Sequence, residues 1–364
     1  MFLLTNEQRK CFGLLPVEAD WECITAKPSP YDHYTTLLWL KGDTVVKCVQ
    51  TGGSWYSERE LREQVSPDRS RLLPKTAKGK PVILSSSTVD KRTGTGMRLH
   101  FQGKNVFLYS EPAQCSYFSD EYTWEGSRDV GNFGRWVEKW CAETTEADAA
   151  EAAHLARQER RHVRFREGDV FRFKIDRRLY GYGRVLVDYA GMRRRKEPFW
   201  DVMMATPVVC SVYHTVTERA DVSAEELRGL RSLPSCIIWD NPLYYGEYEI
   251  LGNLPITEEE DYPILYGSSI RAGEDAVCWH CGKEYLRMEG AQELYYGFHN
   301  IGTATRLLFT LDVLRQCIEA GSNAPYWENY RQFGHTDRDL RNPKFADRLQ
   351  KIRAQFGMAP LERQ

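Results

Sequence analysis

The tetrapeptide Cys278-Trp-His-Cys281 is the arrangement in this sequence that comes closest to a metal site. Structural zinc needs four ligands and usually combines one Cys-x-x-Cys pair with a second pair. No second pair exists, and the nearby candidates His280, His299 and Cys317 lie at irregular spacing. The sequence therefore favours a hairpin turn with incidental thiols, and it predicts no metal and no cofactor.

The stretch LYGYGRVL (179–186) contains two glycines that could approach a phosphate. A dinucleotide site needs its glycines directly after a strand and at the start of a helix. Gly181 and Gly183 instead precede the β-branched run RVLVDY, and no Gly-Lys-Ser/Thr motif occurs anywhere in the chain. The two glycines are therefore predicted to permit a tight bend or bulge in a β-hairpin.

The eight histidines select no catalytic centre. None belongs to an HExxH or HxH arrangement, and no serine lies in a GxSxG elbow. An isolated histidine is more often a surface or hydrogen-bonded residue than a catalyst. The chain is therefore predicted not to be an enzyme, and no catalytic residue is named.

Composition excludes several classes of protein. The 364 residues include 51 acidic and 49 basic ones, and a net charge of −2 argues against a dedicated nucleic-acid binder. No apolar run approaches the roughly 18 residues of a membrane-spanning helix, and MFLLTNEQRK lacks the basic start of a signal peptide. We expect a cytoplasmic protein with no membrane partner, whose ten cysteines are mostly buried thiols.

Hydrophobic patterns predict an α+β protein. Residues 1–140 are mostly strands and turns, with SERELREQ (57–64) as one short helix. The alanine-rich run 144–161, with Thr145 as its N-cap, predicts an exposed connecting helix. Apolar residues three or four positions apart predict two later helices. The first contains Leu307, Leu311, Leu314 and Ile318 and ends at Gly321. The second contains Phe345, Leu349, Ile352 and Phe356, begins at Asn342-Pro343 and ends at Gly357.

The predicted architecture has two β-rich domains, each an antiparallel, strongly bent sheet or a small barrel, joined by an Ala-rich helix and followed by a helical C-terminal region. The expected boundaries are 1–141 for the first domain, 142–162 for the connecting helix, 163–289 for the second domain and 290–364 for the C-terminal region.

Charge is distributed unevenly along the chain. Residues 153–196 hold fourteen Lys/Arg against five acids, whereas residues 232–270 hold seven acids and no Lys or Arg. One interpretation is that these are two solvated faces of opposite sign that partly neutralise each other. The other is an interaction face, because Tyr and Trp supply rigid contact area and carboxylates steer a basic partner.

Two of these segments resemble a known family. REGDVFRFKIDRRLYGYGRVL, followed about sixty residues later by YYGEYEILGNLPI, is similar to the immunity protein 26 family of bacterial polymorphic toxin systems, over roughly residues 165–265. LTNEQRKCFGL, LLPKTAKGKP, SNAPYWENY and DLRNP resemble segments that accompany this module in longer immunity proteins.

The resemblance implies a cytoplasmic antitoxin that binds and blocks a cognate toxin domain, and such toxins are often nucleases. It supplies no catalytic motif to carry over. Charge and aromatic clustering predict the toxin-binding residues: Trp239, Asp240, Tyr244, Tyr245, Glu247, Tyr248, Glu249, Glu258, Glu259, Glu260 and Asp261. Two alternatives stay open: a small hydrolase or an enzyme that reverses the toxin's modification, and a nucleic-acid-binding barrel at 157–196.

Overall fold

A computed structural model describes residues 1–103, 105–120, 129–199, 206–269, 275–290, 303–329 and 338–360. Strands account for 35% of the residues and helices for 25%, so the predicted β-rich α+β class is confirmed. The sheets are antiparallel and none of those described closes into a barrel, so the small-barrel alternative is wrong. Contacts divide the chain into two compact units, 1–162 and 163–364. The four domain ranges given above stay predictions.

The first unit is built on a seven-stranded sheet in the order β1-β2-β3-β4-β7-β8-β9, beside a two-stranded β5-β6 hairpin. Its strands are β1 (Glu22–Thr25), β2 (Thr35–Lys41), β3 (Thr44–Gly52), β4 (Trp55–Gln64), β5 (Arg71–Leu72), β6 (Val82–Ile83), β7 (Met97–Gln102), β8 (Asn105–Ser110) and β9 (Cys115–Asp120). Its helices are α1 (Asn6–Cys11), α2 (Ser86–Asp90), α3 (Val130–Glu143) and α4 (Glu146–Arg157).

Both faces of this sheet are covered, because alternate strand residues face opposite sides. Leu37 and Trp39 belong to the core beneath α1, α3 and α4, which is rich in aromatic residues such as Phe133. Leu38 and Leu40 belong to a second core beneath α2 and the β5-β6 hairpin. The continuous apolar run TTLLWL is thus explained by a strand that is buried on both faces.

The segment SERELREQ is strand β4, and the helix predicted for it is wrong. Its Glu58 is fully buried and accepts hydrogen bonds from Lys47 at 2.6 Å, Arg9 at 2.7 Å and Tyr56 at 2.6 Å. These charges are paired across strands and with α1. A buried polar network of this kind leaves no hydrophobic period for sequence reasoning to detect.

Helix α4 begins at the predicted N-cap. Thr145 and Asp148 form a capping box, with the Thr145 hydroxyl accepting from the Asp148 N–H at 3.2 Å. Ala152 is fully buried in the core of the first unit, and Gly13 approaches its backbone closely. One face of the helix is therefore packed onto the first unit, whereas the other face, with Glu146, Glu151 and His154, is exposed as predicted.

The second unit contains a five-stranded sheet in the order β13-β12-β11-β10-β14 and a three-stranded sheet in the order β15-β16-β17. The strands are β10 (Asp169–Asp176), β11 (Leu179–Asp188), β12 (Pro207–Thr217), β13 (Cys236–Trp239), β14 (Glu249–Asn253), β15 (Ile264–Ser268), β16 (Ala276–Cys281) and β17 (Glu284–Glu289). The helices are α5 (Tyr189–Arg195), α6 (Asn241–Tyr244), α7 (Leu311–Ala320), α8 (Ala324–Glu328) and α9 (Ala346–Gln355).

The elements of this unit form successive layers. One face of the larger sheet, with Phe171 and Val185, packs against Leu314 of α7. Part of the opposite face packs with α5 against the smaller sheet. The other face of the smaller sheet, with Trp279, packs against Ile352 of α9.

The C-terminal helices agree with the sequence patterns except at the start of the first one: Leu307, predicted to belong to it, precedes the Thr310 N-cap, and α7 begins at Leu311. Helix α7 ends at Gly321, which has φ 59° as a C-terminal glycine should. Asn342 caps the 3-10 turn Pro343–Phe345 that leads into α9, and Gly357 follows α9 at φ 69°. Among the residues that the structure describes, no helix is long and apolar enough to cross a membrane.

Candidate interaction surface

Gly181 and Gly183 lie inside strand β11, and the hairpin turn itself is at residues 177–178. The predicted hairpin is present, and the pairing of β11 with β12 shifts between the two glycines as in a bulge. Gly183 lies opposite Phe171, and a Cβ at position 183 would be 2.5 Å from the Phe171 ring. Gly181 faces Phe173 in the same way at 2.6 Å. The glycines therefore make room for phenylalanine rings.

The two cysteines of the Cys-x-x-Cys segment point to opposite faces of β16. Cys278 packs in the core beneath α5, whereas Cys281 contacts the core beneath α9. Residues three apart in a strand always diverge in this way, so the pair cannot bind one ion together. The segment is the middle strand of its sheet, and the turn begins one residue later, at Gly282.

His280 of the same strand is fully buried between two tyrosines. Its ring centroid lies 5.5 Å from Tyr189 and 6.0 Å from Tyr285. Burial lowers the pKa of His280 to about 4, so the ring is neutral at pH 7. Within the described ranges no three His, Cys, Asp or Glu side chains are placed to hold a metal ion.

The aromatic half of the predicted toxin-binding surface surrounds α6. Tyr244 is 37% exposed and Tyr245 is half-buried, with ring centroids 5.2 Å apart. Trp239 and Asp240 are also half-buried, and the Asp240 carboxylate accepts from the Thr206 hydroxyl at 2.6 Å.

Tyr248 does not belong to an exposed surface. Its ring stacks on Phe171 with centroids 5.1 Å apart and planes 5° apart, and 5% of the residue is exposed. Tyr248 is therefore a core residue. Its place in the predicted surface is wrong because the turn after α6 directs its side chain back onto the sheet.

Four of the seven acids between residues 232 and 270 pair with arginines from other parts of the chain, since this segment has no arginine of its own. The pairs are Glu247–Arg306 at 3.9 Å, Glu249–Arg172, Glu260–Arg184 at 2.8 Å and Asp261–Arg341 at 2.6 Å. Arg172 and Arg184 come from the basic run 153–196, so the two charged runs partly neutralise each other within the unit. Glu258 and Glu259 are exposed, and Glu249 keeps 60% of its side chain exposed.

The sheet separates the two halves of the predicted surface. Tyr248 packs in the same core as Val185 of β11, whereas Glu260 pairs with the preceding residue, Arg184. Neighbouring residues of a strand face opposite sides. The segment that leads into Tyr248 and the acidic turn at 257–260 therefore approach the sheet from opposite faces and do not form one continuous patch.

A basic cluster at the end of α5 is a feature that sequence reasoning counted but did not place. Residues 193–196 are all exposed there. Arg194 contacts Asp188 at 3.1 Å and Arg195 contacts Glu167 at 3.3 Å, so the carboxylates lie beneath the cations. The run Arg-Arg-Arg-Lys was the available signal, since cations are favoured in the last turn of a helix.

Comparison with known proteins identifies one region of the second unit. No curated protein and no solved structure matches the chain. Residues 166–278 match a family model described as Immunity protein 26, and this range includes β10 to β15 together with α5 and α6. The resemblance to the immunity protein 26 family is therefore confirmed over residues 166–278.

Proposed function

We propose that this protein is an immunity protein that binds a cognate bacterial toxin domain and neutralises it by covering its active site. The observation that carries the proposal is the family match over residues 166–278. Such an inhibitor needs a contact area on the order of 800 Å² per partner, with a few aromatic or charged residues as anchors. A toxin that degrades nucleic acid would present a basic groove, to which exposed carboxylates are complementary.

The contact residues that we propose are the exposed members of the predicted set. Tyr244 and the half-buried Tyr245 supply aromatic area on one face of the sheet, and Glu258 and Glu259 supply charge on the other. Because the two groups do not form one continuous patch, they are alternative contact sites for the toxin. Glu260 and Asp261 are less suitable as contacts because their carboxylates hold arginines of the same unit.

The test is titration of the toxin domain encoded beside this gene. An occluding inhibitor abolishes toxin activity at one molar equivalent and forms a stable complex on size-exclusion chromatography. Complete protection by a small fraction of an equivalent, without a complex, would establish the enzyme alternative instead.

A matched pair of tyrosines examines the proposed aromatic contact. If the toxin covers the aromatic face, Tyr244→Ala should weaken binding about tenfold, because a central interface tyrosine contributes about 1–2 kcal/mol. Tyr31, in the first unit, is 86% exposed, and Tyr31→Ala serves as the control. Equal affinities for the two variants would remove Tyr244 from the interface.

A further inference from the structure

The exposed end of α5 carries positive charge above a layer of carboxylates. Residues 193–196 form its outer edge, and Lys283 in the β16-β17 turn, with 63% of its side chain exposed, lies beside it. Glu167 connects the two, with carboxylate oxygens 3.3 Å from Arg195 Nη2 and 3.6 Å from Lys283 Nζ. Glu167 and Asp188 keep only 17% and 9% of their side chains exposed, whereas Glu197 holds Arg195 at 2.6 Å with 35% exposed. A partner would therefore first meet the cations of Arg193, Arg194, Lys196 and Lys283.

Lys196 occupies a backbone position that suits glycine. It ends α5 with φ 58° and ψ 32°, where a Cβ crowds the adjacent carbonyl oxygen. Arg69 also has φ 58°, but its guanidinium binds Glu22 and Asp43 within the fold. Lys196 has no ion pair in the described part of the chain. A lysine in a conformation that penalises it points to a use of its charge outside the unit.

An acidic turn lies next to this basic cluster. The turn 257–260 is closed by Glu260, which accepts hydrogen bonds from the Thr257 N–H at 3.2 Å and hydroxyl at 3.0 Å. Glu260 also pairs inward with Arg184 at 2.8 Å, which fixes the turn on the sheet. Glu258 and Glu259 at its tip remain exposed.

Tyr262 joins the two charged regions. Its ring covers Gly282, where an added Cβ would lie 2.8 Å from the ring, and Lys283 is the next residue. Burial, and then the carboxylates of Glu260 and Glu167, raise the pKa of Tyr262 to about 12. Tyr262 follows Glu260 by two residues, and its ring lies against the residue that precedes Lys283, so the two regions adjoin.

We propose that this two-signed surface, with residues 193–196 and Lys283 on one side and Glu258–Glu259 on the other, binds the toxin. The inference rests on the proposed function and deepens it: the complementary face of the toxin carries carboxylates opposite α5 and cations opposite the 257–260 turn. Opposite charges side by side set the orientation of a protein partner. Nucleic acid fits this surface poorly, because Glu258 and Glu259 repel phosphates.

The experiment measures affinity for a catalytically inactive form of the neighbouring gene's toxin domain, at low and high salt, by calorimetry. Lys196→Gly is expected to raise Tm by about 2 °C, since glycine relieves the backbone conformation, and to weaken binding about threefold at low salt. The pair Glu258→Gln and Glu259→Gln is expected to weaken binding by at least as much, and high salt should reduce both effects.

Lys351→Gln on α9 is the matched control, since Lys351 is exposed outside the two-signed surface, and its affinity should equal that of the wild type. If the wild type binds the toxin and the Lys196 and glutamate variants bind it as tightly as the wild type does, the surface inference is overturned while the proposed function stands. If the wild type does not bind, the proposed function fails. Glutamate variants that gain affinity for plain DNA without losing the toxin would also overturn the inference.

Discussion

Replacing Glu58 by glutamine tests whether buried charge holds the first unit together. The Glu58 carboxylate lies between Lys47 and Arg9, and all three side chains are almost completely buried. Lys47 and Arg9 Nε donate to Oε1, whereas Tyr56 and, at 3.4 Å, Arg9 Nη2 donate to Oε2. A glutamine can keep its oxygen toward Lys47 and Arg9 Nε and its amide toward the phenol oxygen, and it loses the longer contact with Arg9 Nη2, so the substitution removes charge with little change of shape.

The expected loss follows from the two cations left without a counter-charge. Breaking a buried ion pair by removing one partner costs about 3–5 kcal/mol. Since glutamine retains much of the hydrogen bonding, we expect a value of about 3 kcal/mol at pH 7, a large part of the ~5–15 kcal/mol of a typical domain.

Low pH should reduce the difference in unfolding free energy between the wild type and Glu58→Gln. Burial alone would raise the pKa of Glu58, but Lys47 and Arg9 outweigh it and hold the pKa below 4.5. A carboxylate with a lowered folded pKa contributes stability that is present above the unfolded value and is lost as pH falls through the folded value. The unfolding free energies of wild type and Glu58→Gln should therefore approach each other as pH falls from the unfolded value of about 4.3 through the lower folded pKa.

The assay is urea unfolding followed by tryptophan fluorescence, with the first unit's transition assigned from circular dichroism. If the unfolding free energy decreases by about 2 kcal/mol per M of urea, the midpoint of unfolding for Glu58→Gln should lie about 1.5 M lower than that of the wild type. Glu7→Gln is the control, because Glu7 pairs with Lys10 on the surface and should change stability by less than about 0.5 kcal/mol. A loss below about 1 kcal/mol for Glu58→Gln would refute the reasoning.

Three further predictions concern the second unit. Gly183→Ala should cost about 2 kcal/mol in urea unfolding, because its methyl would lie 2.5 Å from the Phe171 ring and 2.6 Å from the Ser211 carbonyl oxygen; Phe171→Leu in the same chain should recover only the part that comes from the ring. Because the unfolded chain protonates His280 more readily than the folded chain does, the free energy of unfolding should fall by about 3 kcal/mol as pH drops from 6.5 to about 4. His280→Leu should remove this part of the pH dependence, measured by urea unfolding at several pH values. Because Cys278 and Cys281 face opposite sides of β16, a chelator should leave Tm unchanged, and a lowered Tm would contradict this assignment.

Sequence patterns predicted helices well where apolar period and caps agreed. Leu349 and Ile352 are buried, and Asn342 and Gly357 delimit the α9 segment as their residue types require. The patterns failed in β4, where Glu58 and Arg59 are buried by pairing with residues distant in sequence. Local propensity carries no information about such partners.

The candidate surface was predictable in composition but not in geometry. The excess of acids and tyrosines after residue 232 is visible in the sequence, yet the pairing of Glu260 with Arg184 depends on a register that joins distant segments. Tyr248 differs from Tyr244 and Tyr245 only in its place after the turn, and that place buries it. The family resemblance, in contrast, rests on local motifs and was recognisable from the residues alone.

The order of strands in the first unit bears on how the chain is made. Its seven-stranded sheet pairs each strand with the one that precedes or follows it, apart from the step from β4 to β7, which passes over a short hairpin. Contacts that are mostly close in sequence favour rapid folding. All the secondary structure that this unit needs is present by residue 162. The nascent chain can therefore complete this half while the ribosome is still translating residues 166–278, which match the Immunity protein 26 family model.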